Sequence, residues 1–69
     1  MLKRSVIIAG RHNTSITLEE EFMRELENIA KQQQTTINKL VTEIDSQRGE
    51  ANLSSAIRVY ILKYLKSHK

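Results

Sequence analysis

Between residues 11 and 18 the chain alternates with period two. His12, Thr14, Ile16 and Leu18 fall on one side, and Arg11, Asn13, Ser15 and Thr17 on the other. A short proline-free alternation, β-branched toward its end, predicts a strand. Every member of the second set has a hydrogen-bonding side chain, so the two faces differ in kind. The period then turns helical: Phe22, Leu26, Ile29 and Ala30, with Met23 on the flank, form one stripe and predict a helix over 19–33. Thr17 and Glu20 have the spacing of a capping box, and Glu19, Glu20 and Glu21 put negative charge on the positive end of that helix. Glu20/Arg24 and Glu27/Lys31 are favourable i,i+4 pairs, so the acidic run reads mainly as a solvated helix face.

Gln32 to Thr35 breaks the stripe, and Thr36 is placed to cap a second helix over 36–48 with apolar positions Ile37, Leu40, Val41 and Ile44. Gly49 stops it. Asn52 caps a third helix over 53–66, which carries Leu53, Ala56, Ile57, Tyr60, Ile61 and Tyr64 on one face and Val59, Leu62 and Leu65 on other sides. A helix apolar nearly all round predicts burial between elements or between subunits.

One strand alone leaves backbone groups unpaired along both edges and is hardly ever stable. Two copies pairing antiparallel would satisfy it. Residues 1–10 leave other readings open, because Ser5-Val6-Ile7-Ile8-Ala9 suits a second strand, a packing arm or an extension of the ribbon, and Gly10 permits a bend. Length argues for association as well. A chain of 69 residues makes one small domain, and chains near 60 residues bury only roughly 60% of their unfolded surface. There is no cysteine for a disulfide and no Cys/His cluster for zinc, which leaves oligomerisation as the route to a sufficient core.

The net charge of +3 matters less than its distribution. Lys3, Arg4 and Arg11 lie in an acid-free start, and Arg58, Lys63, Lys66 and Lys69 in an acid-free end. A dimer would double +3 to +6 and could present the basic ends to a polyanion. No apolar run approaches the roughly 20 residues of a membrane span, and no signal peptide is legible, so a soluble, cytoplasmic protein is expected.

Thr14-Ser15-Ile16-Thr17-Leu18-Glu19-Glu20-Glu21-Phe22 and Thr36-Ile37-Asn38-Lys39-Leu40-Val41 resemble the ribbon-helix-helix superfamily of MetJ, Arc and CopG type. The resemblance covers roughly residues 12–46. Lys3-Arg4-Ser5-Val6 and Asn52-Leu53-Ser54-Ser55-Ala56-Ile57-Arg58-Val59 resemble a small bacterial branch with an additional C-terminal helix. The fold this implies is mainly α: one short N-terminal strand per chain, paired antiparallel across a homodimer, followed by three helices. Ser54-Ser55-Ala56-Ile57-Arg58 also resembles the second-helix start of some relatives, a register that would make 36–49 an insertion. The register with its second helix at Thr36 needs no gap and is preferred, which leaves Arg58 and Lys63 as solvent or dimer-surface charges.

In such proteins the ribbon contacts base edges in the major groove. The resemblance implies base contacts from Asn13, Ser15 and Thr17, with Arg11 reaching guanine or phosphate, and a register open by one or two residues. It implies phosphate contacts from the start of the second helix at Thr36, Ile37, Asn38 and Lys39, and from Lys3 and Arg4. The dimer core would comprise Ile16, Leu18, Phe22, Leu26, Ile29, Ile37, Leu40, Val41, Ile44, Ile57, Tyr60 and Ile61. His12 and His68 are far apart, and His12 reads as a packed residue. Neither a metal set nor a nucleophile and base can be assembled, so no enzyme, metal or cofactor is expected. The implied function is a repressor or autoregulator that binds double-stranded DNA as a homodimer and can assemble further along it. The alternative is an antitoxin or adaptor whose main task is to bind a partner protein.

Overall fold

The computed structural model describes residues 1–8, 12–50 and 52–67. Two strands, β1 (Leu2–Ile8) and β2 (His12–Leu18), are followed by three helices, α1 (Glu20–Gln32), α2 (Ile37–Gln47) and α3 (Leu53–Ser67). The strands form a two-stranded antiparallel sheet in the register Leu2↔Leu18 through Ile8↔His12. This corrects the expectation of one strand per chain: Leu2–Ile8 is itself a strand, and it pairs with 12–18 of the same chain. The lone-strand problem is thus solved locally. Side chains of alternating polarity on β1 match those on β2, so both strands turn their apolar sets to the same side.

That side carries Val6, Ile8, Ile16 and Leu18, all buried against the helices. β1 lies chiefly against α2, and β2 touches α3 and α1. Leu26, Ile29 and Ala30 of α1, Leu40, Val41 and Ile44 of α2, and Ile57 and Ile61 of α3 complete the core. The residues assigned to a dimer core therefore pack against one another inside a single chain. Phe22, Ile37 and Tyr60 sit at its margin, half-buried. Met23, expected on the flank, is buried, while Phe22 is the more exposed of the pair. The radius of gyration, 11.2 Å, equals the roughly 11 Å of a folded chain of this length.

The helix ends have identifiable causes. Thr36 Oγ1 accepts the Lys39 N–H at 3.1 Å, and Asn52 Oδ1 accepts those of Ser54 and Ser55 at 2.9 and 3.3 Å. α1 starts differently from expectation. Leu18 is pulled into the sheet by Leu2 and fully buried, so Thr17 stays in β2 and makes no capping box. Glu19 is the N-cap, without a side-chain cap bond. α1 ends in a Schellman arrangement, with Thr35 N–H donating to Ala30 O and Gln34 N–H to Lys31 O. The left-handed position falls on Gln34, at φ 55°, whereas α2 ends with Gly49 at φ 63°.

Arg58, read from the sequence as a surface charge, donates from Nε to Glu19 Oε1 at 2.9 Å and ties α3 to the start of α1. That hydrogen bond, then the Glu19 backbone, holds the carboxyl below its ordinary value. A lowered folded-state pKa contributes stability above the ordinary carboxylate range that is lost as pH falls through the folded value. Tyr60 and Tyr64 add a polar seam to α1: Gln33 Nε2 donates to Tyr60 Oη at 2.9 Å, and Tyr64 Oη to Gln32 Oε1 at 2.8 Å.

Three stability measurements check this account. Leu26→Ala, at a fully buried site, should cost about 2–5 kcal/mol in urea unfolding. Gln34→Gly should add about 0.5–1 kcal/mol, the left-handed cost of roughly 1–2 kcal/mol less the unfolded-state entropy of glycine. The destabilisation caused by Glu19→Gln should be visible at neutral pH and vanish as the wild-type carboxyl protonates in acid.

Candidate nucleic-acid interface

The inner face of the sheet is sealed to the helices, and the outer face is not. Strand alternation places Lys3, Ser5 and Ile7 of β1 and Asn13, Ser15 and Thr17 of β2 on that outer face, and all six are exposed. Cross-strand pairing sets Lys3 opposite Thr17, Ser5 opposite Ser15 and Ile7 opposite Asn13. The surface is one amine, three hydroxyls, one amide and one aliphatic side chain, with no carboxylate among them.

The flanking helices fix its edges. Ile7 N–H donates to Asn38 Oδ1 at 3.3 Å, and Thr17 N–H to Ser54 Oγ at 3.4 Å. Both donors point away from the sheet, so residues 3, 5, 7, 13, 15 and 17 form the non-hydrogen-bonded pairs of the ladder. Asn38 is the second residue of α2 and Ser54 the second of α3. Each edge of the ribbon is thereby held at a helix start.

The structure brings together Asn13, Ser15, Thr17 and Lys3, as one face. It brings the start of α2 to the β1 edge through Asn38. Lys39 is exposed there, and Ile37 turns its half-buried side chain to the core, which leaves only its backbone to face a ligand. Arg4 is separated from Lys3 by strand alternation and lies exposed on the helix side. Arg11 lies outside the described residues, as do Gly10 and its expected bend and the side chain of His12. Ser5 and Ile7 were not picked out as site residues by sequence reasoning. The signal was present, because Leu2-Lys3-Arg4-Ser5-Val6-Ile7-Ile8 places Lys3, Ser5 and Ile7 in alternation with Arg4, Val6 and Ile8.

Electrostatics beside this face are softened by pairing. The acidic run follows β2 directly, but Glu19 is bonded to Arg58 and Glu20 to Arg24 at 3.2 Å. Elsewhere α3 leaves Val59, Leu62 and Leu65 exposed, and a groove between α2 and α3 is lined by Ile44, Ala56, Val59, Tyr60 and Lys63. Among the described residues there is no group of three or more His, Cys, Asp or Glu able to hold a metal, and no helix is long and apolar enough to cross a membrane.

A family model described as the ribbon-helix-helix domain matches residues 1–65. With nearly the whole chain covered, the protein belongs to that family, and α3 is an addition beyond its strand-and-two-helix core. Members are non-catalytic, and the architecture supports a DNA-binding, regulatory role in general terms. No curated protein and no solved structure matches the chain.

The Thr36 cap can be tested apart from any ligand. Thr36→Ala should lower stability by about 1 kcal/mol in thermal or urea unfolding, and Thr36→Ser should restore most of it.

Proposed function

We propose that the protein is a sequence-specific DNA-binding regulator of transcription, a repressor or autoregulator, whose β-ribbon enters the major groove. The observation that carries this is the outer face of the hairpin: exposed, almost entirely hydrogen-bonding and free of acids. A two-stranded ribbon fits the major groove, where each base pair presents its own donor and acceptor pattern. Asn13 can pair bidentately with adenine, and Ser15 and Thr17 can donate to or accept from base edges. Arg11 is assigned to guanine or to a phosphate.

Phosphate contacts would fix the ribbon in the groove without specifying sequence. Thr36 Oγ1 occupies the Lys39 N–H, so the Ile37 and Asn38 N–H groups and the Lys39 ammonium are the contacts offered by α2. Lys3 and Arg4 would meet the backbone at the open end of the hairpin. We assign the protein to the cytoplasm, acting as a homodimer on a short inverted repeat. The exposed Val59, Leu62 and Leu65 of α3 favour a second copy as their cover.

Sedimentation of the full chain, alone and with a labelled duplex from upstream of its own gene, at two salt concentrations, tests the reading. A dimer that prefers this duplex to random DNA and weakens with salt is expected. Indifference to DNA at both salts would instead make a partner protein the target of the α2–α3 groove. Ser15→Ala and Thr17→Ala should each remove about 1 kcal/mol of discrimination while leaving the fold intact. Lys39→Ala should weaken binding to all duplexes alike and flatten the log-log salt slope by about 0.9.

A further inference from the structure

We propose that Asn38 is a positioning residue, whose side chain holds the first turn of α2 against the hairpin edge and so sets where that turn meets a DNA phosphate. This rests on the phosphate-contacting role given above to the start of α2 and adds to it the residue that keeps that start in place. Asn38 Oδ1 accepts the Ile7 N–H at 3.3 Å, joining positions 31 apart in the chain. Because the strand supplies the donor, the amide must turn its oxygen to it, which decides the orientation of the side chain. Both residues are exposed, so the bond is separate from the packing of the core.

The two partners are anchored unequally. Ile7 lies between Val6 and Ile8, both buried beneath the sheet, whereas the buried residues of α2 are Leu40, Val41 and Ile44. The first turn of α2 precedes those anchors: Ile37 is half-buried, and Asn38 and Lys39 are exposed. N–H groups in a first turn have no partner within the helix, and helix ends fray. Two side-chain bonds oppose this here. Thr36 Oγ1 accepts the Lys39 N–H at 3.1 Å, and Asn38 ties the turn to β1. The residue that grips the strand with its side chain thus carries one of the proposed phosphate donors on its backbone.

The other edge supplies a comparison. Ser54 Oγ accepts the Thr17 N–H at 3.4 Å, but there Asn52 Oδ1 already takes the N–H groups of Ser54 and Ser55. Loosening that edge removes a bond of the same kind without touching the start of α2.

Two measurements on the full chain, with helix content checked by circular dichroism, test the proposal. Amide hydrogen exchange reads the Ile7 bond without DNA. Asn38→Ala should speed exchange at Ile7 by about 2- to 10-fold. Asn38→Asp keeps an acceptor and suits the helix N-terminus, so Ile7 should stay protected. Binding of the duplex from upstream of the gene is then measured over a range of salt. Asn38→Ala should weaken it by about 2- to 10-fold, and Lys39→Ala should cost less in that background than in wild type, because both act through one turn. Asn38→Asp should weaken binding to every duplex by placing a carboxylate beside the phosphate. Ser54→Ala and Lys39→Ala should be additive. Unchanged exchange or binding in Asn38→Ala, additivity of Asn38→Ala with Lys39→Ala, wild-type affinity in Asn38→Asp, or equal coupling of Lys39 to Ser54 would each overturn the positioning role and leave the DNA-binding reading standing. Failure of wild type to bind any duplex would overturn both.

Discussion

Val6, Ile8, Ile16 and Leu18 project from one side of the hairpin into the helical layer, and a two-stranded sheet without such cover is marginal in water. Two of the four come from β1. Without that strand the packing side of β2 would offer only Ile16 and Leu18 to the helices. With it, the core extends from the sheet through Leu26, Ile29, Leu40, Val41, Ile57 and Ile61 without a buried polar residue among those described. Because side chains alternate along a strand, committing one face to this seam commits the other to solvent. The polar surface of Lys3, Ser5, Asn13, Ser15 and Thr17 is the geometric complement of the apolar seam.

The same constraint explains the helix starts. A hairpin sealed on one face still has two open edges, and such edges invite pairing with other chains. Here Asn38 and Ser54 take up N–H groups at opposite corners, while Thr36 and Asn52 cap the helices that carry them. The two capped helices thus each hold one point on an edge of the hairpin, and this brings the N-terminus of α2 beside the ribbon. The Glu19–Arg58 bond plays a comparable part at the other end, holding α3 against the start of α1 and neutralising the carboxylate nearest to β2.

Period alone made most of this legible. The strand at 12–18, the stripes of the three helices and the caps at Thr36 and Asn52 follow from spacing and side-chain chemistry, and the outward set Asn13, Ser15 and Thr17 follows from alternation. What escaped was relational. Residues 1–10 read equally as strand, arm or extension, because the choice depends on whether Val6 and Ile8 find a surface to cover. Thr17 and Glu20 fit a capping box locally, but burial of Leu18 and its pairing with Leu2 outweighed the cap. The Arg58–Glu19 partnership spans 39 positions and leaves no local trace. The place of Ser5 and Ile7 on the outer face depends on the β1–β2 register, which no single segment specifies.

The outer face of the hairpin is the proposed DNA-contacting surface. Backbone amide shifts of the labelled chain, followed as a duplex from its own upstream region is added, address it most directly. The account predicts that the largest changes fall on residues 3, 5, 7, 13, 15 and 17 and on the first turn of α2, with the exposed side of α1 unaffected. Changes confined to Val59, Leu62 and Leu65, with the ribbon unmoved, would contradict it.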